Sequence, residues 1–320
     1  MCIRDRGLTA LAASLVSVSA NAGSLTISGA ASMNVGGYSG TSMDGGATFS
    51  MGNQVTMSGS GELDNGMTVS ISYQLDDGAS PVQGPFDDHS VTVSSDAMGS
   101  LTLYGHGGGS ATSAMDATAA GNVFDTFDGA LGQVTGVAHT NSAPGNNSLM
   151  YTMPTIMDGV DVKLSYEPQQ SGNTIDSGMG YAVTYTGVVG LTLVYSESDI
   201  VGTTSDLSGD QTAWKVSYAY GPVTATMTQS EYDVVTTTSD QDVSSVAVSY
   251  TISDEMSVTY GVEEFSTTAA TDREYTVLKG SYTSGGMTVS AQMKEAENVA
   301  HGTASNQDFE YWGLGLAFAF

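Results

Sequence analysis

Paired carboxylates are the first residues in this chain that could do chemistry: Asp76-Asp77, Asp87-Asp88 and Glu263-Glu264. Adjacent acids repel unless a hard cation or water stands between them, so Asp76, Asp77, Asp87 and Asp88 are candidates for calcium. The alternative is a solvated acidic loop, and no other cofactor is expected. Asp116, Asp125 and Asp128 form a second set, beside Phe124 and Phe127. They follow Gly107-Gly108-Gly109, but no Lys-Ser/Thr comes after these glycines, so a phosphate cradle is a poor reading. His89, His106, His139 and His301 are scattered. Without a Gly-x-Ser-x-Gly elbow or a His-Glu-x-x-His pair, no enzyme is expected.

Charge sets the compartment and the partners. Of 320 residues, 34 are Asp or Glu and 7 are Lys or Arg, giving a net charge of −27. Nucleic acid is therefore not an expected partner, since phosphate binding needs clustered bases. Disorder is the other reading of such acidity, but Tyr, Val and Met recur in strand register throughout. Arg4 and Arg6, the short apolar run 8–18 and Ala20-Asn21-Ala22 read as an export signal over residues 1–22. Residues 1–6 are an unusual signal start and carry no weight. Cys2 lies within the signal, so no disulfide framework is expected after cleavage.

The elements that must position these groups are strands. In Tyr311-Trp312-Gly313-Leu314-Gly315-Leu316-Ala317-Phe318-Ala319-Phe320, one face carries Trp312, Leu314, Leu316, Phe318 and Phe320. Small residues fill the other face. A period of two is a strand, because successive side chains point to opposite sides. About sixteen such segments follow residue 23, near the length a tilted membrane-spanning strand needs. Met67, Val69, Ile71, Tyr73 and Leu75 oppose Thr68, Ser70, Ser72, Gln74 and Asp76; Met256, Val258, Tyr260 and Val262 oppose Ser257, Thr259 and Glu263. Asp64-Asn65-Gly66, Met157-Asp158-Gly159 and Ser284-Gly285-Gly286 predict tight turns. Longer polar stretches alternate with them, as at the two rims of an outer-membrane barrel. Tyr73, Tyr104, Tyr166, Tyr195, Tyr220 and Tyr282 fall near strand ends, as interfacial girdles require. The pattern breaks once, over 107–147, and a loop that long is usually functional.

Taken together, these residues resemble the trimeric general diffusion porins of Gram-negative outer membranes, of the alphaproteobacterial type. The resemblance covers residues 23–320 and rests on the signal, the strand count, the aromatic last strand and the long third loop. Gly145-Asn146-Asn147-Ser148-Leu149-Met150-Tyr151 is similar to the end of that loop and the start of the next strand. The resemblance implies one closed antiparallel barrel of about sixteen strands, with 107–147 folded into the lumen as an eyelet. It makes Asp116, Asp125 and Asp128 the eyelet carboxylates, facing basic residues on the opposite wall. Here the chain departs from the family, because 23–162 contains no Lys or Arg. Lys163, Lys215, Lys279 and Lys294 are the remaining lysines, and strand phase puts them on the lumen side. A lysine facing lipid at mid-depth would cost about 2–4 kcal/mol.

The expected function is passive diffusion of small hydrophilic solutes and ions, with a preference for cations, because carboxylate rings attract cations. Expected partners are the lipid bilayer, lipopolysaccharide, the barrel-assembly machinery and two further copies in a homotrimer. Two alternatives remain: an exported calcium-dependent adhesin or surface protein, and a substrate-specific barrel channel. Against the adhesin, the chain lacks a Gly-Gly-x-Gly-x-Asp repeat and an EF-hand loop.

Overall fold

Alternating β-branched or aromatic residues with Ser and Thr give segments that can bury one face and wet the other, and each forms a strand. The computed structural model describes residues 25–40, 43–44, 46–76, 86–115, 117–127, 146–168, 175–203, 208–235, 240–267, 270–301 and 304–320. The signal region lies outside them, as do Asp77, Asp116 and Asp128. In chain order the strands are β1 (Thr26–Gly40), β2 (Met43–Asp44), β3 (Thr48–Glu62), β4 (Thr68–Asp76), β5 (Asp88–Ser95), β6 (Gly99–His106), β7 (Ser148–Thr152), β8 (Val160–Glu167) and β9 (Ile175–Tyr185). They continue as β10 (Leu191–Gly202), β11 (Gly209–Tyr220), β12 (Val223–Val234), β13 (Gln241–Ser253), β14 (Met256–Thr267), β15 (Ala270–Ser284), β16 (Met287–His301) and β17 (Ala304–Ala319). Because β2 is a two-residue strap on β1, the wall is a ring of sixteen strands among the described residues.

Every neighbouring pair is antiparallel, and the ring closes where β1 meets β17, from Ala30↔Ala319 to Gly40↔Phe309. At the seam Gly29 N–H donates to the Phe320 carbonyl at 2.7 Å, and Phe320 N–H donates to the Gly29 carbonyl at 3.0 Å. No edge is left, so every strand finds two partners, as a barrel in lipid must arrange. The predicted turns at Asp64–Gly66, Met157–Gly159 and Ser284–Gly286 all join strands at one rim, and the long connections lie at the other. Gly66, Gly159, Gly285 and Gly286 take positive φ there, which glycine adopts without a steric penalty.

The inner face is identified by contacts with the loop after β6. Ser165, Thr228, Ser245 and Glu263 each bond to that loop, so they point inward. Residues in the opposite phase, among them Leu164, Met227, Val246 and Met293, are between 42% and 62% exposed on the outside. Inward hydroxyls pair across strands, as in Thr92···Thr102 at 2.8 Å and Ser249···Thr259 at 2.7 Å. The last strand points Trp312, Leu314 and Phe320 outward as expected, with Leu316 and Phe318 half-buried on the same face.

Two expectations need correction. Tyr104 shares its face with the inward Thr102, so it is a lumen residue and not part of a lipid-facing girdle. The rule that the apolar phase faces lipid also fails near the loop rim of β13–β17. There Val243, Phe265, Tyr275, Val277, Ala296 and Phe309 are buried inside the barrel. The neighbouring outward positions Asp242, Glu264, Glu274, Glu295, Glu297 and Asp308 are exposed acids. At this level the inside is covered by the loop and is dry, so the sense of the alternation reverses.

Candidate functional site

The loop after β6 lies along the inner wall. Two short 3-10 helices, Ala111–Met115 and Val123–Thr126, give it shape. Met115 packs on Val194 and Ala213, while Ala111 N–H donates to Ser165 Oγ at 2.9 Å. Further along, Ala119 N–H reaches Thr228 Oγ1 and Ala120 N–H reaches Ser245 Oγ, both at 3.0 Å. The described part of the loop thus follows the wall from β8 round to β17 and β1, and leaves β3–β7 uncovered. Gly261 makes the approach possible, since a Cβ there would stand 2.6 Å from the Ala120 Cβ.

Glu263 is the centre of this attachment. It is fully buried, pointing from β14 into the loop. Its Oε1 accepts from the Thr118 hydroxyl and from Val123 N–H at 2.9 Å, and its Oε2 accepts from Phe124 N–H at 3.1 Å. Thr118 Oγ1 in turn accepts from Gly121 N–H and Asn122 N–H, at 3.0 and 2.9 Å. Asn122 sits at φ 55 and bonds back through Oδ1 to Thr118 N–H at 2.9 Å. A carboxylate with several donors is a strong acceptor, and here it holds backbone that has no sheet partner. Around this clip lies an apolar lock. Phe124 packs against Phe265 with ring centroids 4.8 Å apart, and Phe127 lies 6.0 Å from Tyr275. Tyr38 closes the patch, donating its hydroxyl to the Thr126 carbonyl at 2.8 Å.

The charged residues fall as follows. Asp125 is exposed on the second 3-10 helix, while its neighbours Val123, Phe124 and Phe127 are buried against the wall. The Lys294 ammonium donates to Thr126 Oγ1 and lies in the field of Glu263, Lys279 and Asp125. Lys279 Nζ is 4.0 Å from where a Cβ on Gly121 would sit. Lys163 shares the inward face of Ser165 on β8, and Lys215 that of Ala213 on β11. All four lysines therefore belong to the side of the barrel the loop follows. The uncovered wall presents Ser50, Gln54, Ser70, Ser72, Gln74, Thr92 and Thr102. Its acids are Asp76 and Asp88 towards the loop rim and Glu62 towards the turn rim.

Asp88 Oδ1 is 3.9 Å from His106 Nδ1, and Asp76 pairs in register with Gln54. Among the described residues no group of three or more His, Cys, Asp or Glu is arranged to hold a metal. Glu263 and Glu264 do not form a pair: successive strand residues face opposite ways, so one is in the loop clip and the other outside. Sequence reasoning missed the clip. Its available signal was an acid and a phenylalanine, Glu263 and Phe265, in a phase that is otherwise Ser, Thr and Gly.

The arrangement is a closed ring with a largely hydroxyl-lined inner wall and an inward loop. Its fold is shared with solved porins of low sequence identity. An anion-selective porin from Comamonas acidovorans matches with a TM-score of 0.70 at 13% identity, covering 93% of this chain and 99% of that one. A mutant porin of Rhodopseudomonas blastica gives 0.64 at 16%, over 93% and 100%. A loop-deletion mutant of an outer membrane protein of Vibrio cholerae gives 0.63 at 16%, over 94% and 100%. No curated protein sequence matches the chain. The model of the Gram-negative porin family matches residues 7–276. With that match spanning most of a chain that closes into a loop-narrowed barrel, the protein belongs to the Gram-negative porins and is a channel of the outer membrane.

Proposed function

We propose that this porin is a passive diffusion channel for small hydrophilic solutes and ions, with a preference for cations. One observation carries the reading: the wall that the described loop leaves open, β3–β7, bears Glu62, Asp76 and Asp88 and neither Lys nor Arg. A cation passing that wall meets hydroxyls and carboxylates, and an anion meets no compensating charge. The lysines on the other side are partly committed, with Lys294 bonded to the loop and close to two carboxylates. The anion selectivity of the Comamonas acidovorans porin belongs to that protein. Reversal potential across a planar bilayer in a KCl gradient tests the reading. A potential of the sign set by potassium is expected, and one set by chloride overturns it.

The same proposal includes assembly. Three copies would meet through the outer faces of β1 and β17, where the outward phase of β1 carries no charge. The aromatic terminal strand would be presented to the barrel-assembly machinery, and lipopolysaccharide would surround the outward acids above the apolar belt. Mobility of the unboiled protein in a detergent gel, with cross-linking, tests the trimer.

A further inference from the structure

β5 and β6 meet at the root of the long loop, at the loop-rim end of the wall that the loop leaves open. Asp88, one of the loop-rim carboxylates of that wall, stands beside His106, with Oδ1 3.9 Å from Nδ1. This is too long for a hydrogen bond, and His106 Nδ1 is a buried atom with no other partner among the described residues. The side chain as a whole is 25% exposed, so protons reach it. Gly107, at φ 63, lies under the Asp88 carboxylate, and a Cβ there would collide with it. Its N–H donates to Asn146 Oδ1 at 2.9 Å, and Asn147 N–H donates to the Gly105 carbonyl at 3.3 Å, so both ends of the loop are tied beside the pair. The other titratable groups around it are Asp87 and His89 on the β5 side, Asp76 and Tyr73 on β4, and Tyr104 on β6. The β7 side presents the neutral Asn146 and Asn147. His89 keeps the phase of Val91, which is exposed on the outside.

We propose that His106 tunes the ion selectivity of the open wall: by taking up a proton in mild acid it cancels the charge of Asp88. An imidazole changes charge between pH 5 and 8, which no other side chain of this wall does at its ordinary value. A histidine kept only for structure would have both nitrogens satisfied, whereas here Nδ1 meets nothing but a carboxylate beyond bonding range. The protonated ring carries N–H on both nitrogens, so Nδ1 then offers Asp88 a donor, and charge-assisted pairs of this kind close to about 2.7–2.9 Å. The proton comes from bulk water and Asp88 stays ionised, so the pair changes from one negative charge to none. A cation at the loop rim of the open wall then meets Asp76 without the charge of Asp88, and cation preference declines. The inference rests on the cation preference proposed above and names the residue that adjusts it.

Reversal potentials of the full-length folded protein in planar bilayers provide the test, in KCl gradients below about 0.1 M and at about pH 7.5 and about pH 5.5. The potassium-to-chloride permeability ratio is expected to fall about twofold on acidification. His106→Gln, which takes up no proton, should keep the higher ratio at both pH values. His106→Lys, which carries the charge throughout, should show the lower ratio at both. His89→Gln should leave the step in place. A wild-type ratio that does not change overturns the switch, as does a step that survives His106→Gln. A step of equal size in about 1 M KCl also overturns it, because the screening length there is only about 3 Å. A channel that prefers chloride at both pH values, yet shifts further towards chloride in acid through His106, refutes the cation preference and leaves the switch standing. If His106→Gln does not fold, as judged by heat-modifiable mobility, His106→Lys decides, and a step of wild-type size in that variant refutes the proposal.

Discussion

Two holding forces of comparable size fix the loop at Glu263. Removing the carboxylate leaves the Val123 and Phe124 N–H groups unpaired, at about 1–3 kcal/mol each. Burial of Phe124 and Phe127 contributes roughly 1.5–3 kcal/mol apiece. Neither term dominates, so Glu263→Ala should loosen the loop without expelling it. We expect an increase in open-channel current noise with mean conductance changed by less than about twofold. Adding Phe127→Ala should release the loop and raise single-channel conductance, while unboiled gel mobility stays that of a folded barrel. Gly261→Val should act like the double change, because its side chain would occupy the space of Ala120. Single-channel recording of the three variants checks all of this. Unchanged conductance in the double variant would remove the loop from the constriction.

At the level of elements, the outer surface of β14–β16 holds a like-charge rung. Glu264 pairs with Glu274, and Glu274 with Glu297, directly across the strands. Such pairs destabilise a sheet by a few tenths to about 1 kcal/mol each. Glu274→Gln relieves both at once. It should raise the thermal unfolding midpoint in detergent at low salt, and the gain should shrink as salt approaches molar concentration. Circular dichroism melts at two ionic strengths measure it, and a gain independent of salt would refute the electrostatic account. The seam has the opposite character, and Phe320 extends the ladder between β1 and β17 by one more pair of bonds. Phe320 makes both terminal bonds to Gly29 and lays its ring over that glycine, where a Cβ would stand 2.4 Å from Phe320 Cε2. Deleting Phe320 should lower the yield of heat-modifiable barrel in a refolding assay, and Gly29→Val should do the same by displacing the ring.

For the whole molecule, the distribution of bases determines the field in the pore. With every lysine on the side the described loop follows, the wall that it leaves open offers hydroxyls, amides and the carboxylates of Glu62, Asp76 and Asp88. Thr92→Arg places a cation in the middle of that wall, where the Thr92···Thr102 pair now sits. It should shift the reversal potential towards chloride, most strongly below 0.1 M salt, where screening lengths exceed about 10 Å. A reversal potential that does not move would mean that permeating ions do not pass β5.

The chain's period-two pattern was enough to predict membrane-spanning strands, and its resemblance to porins implied the closed barrel that they form. Lipid outside and water inside impose opposite demands on successive residues, and 107–147 was legible as the one long interruption. The inward phase of Lys163, Lys215, Lys279 and Lys294 was legible for the same reason. What only the tertiary structure decided is where that alternation stops meaning lipid and water. Near the loop rim of β13–β17 the loop makes the inside dry, so Phe265 and Glu263 turn inward and Glu264 turns outward. The placement of the lysines relative to the loop was equally hidden. Strand phase reports the face of a residue, while its position around the ring depends on how sixteen strands close and where the loop comes to rest.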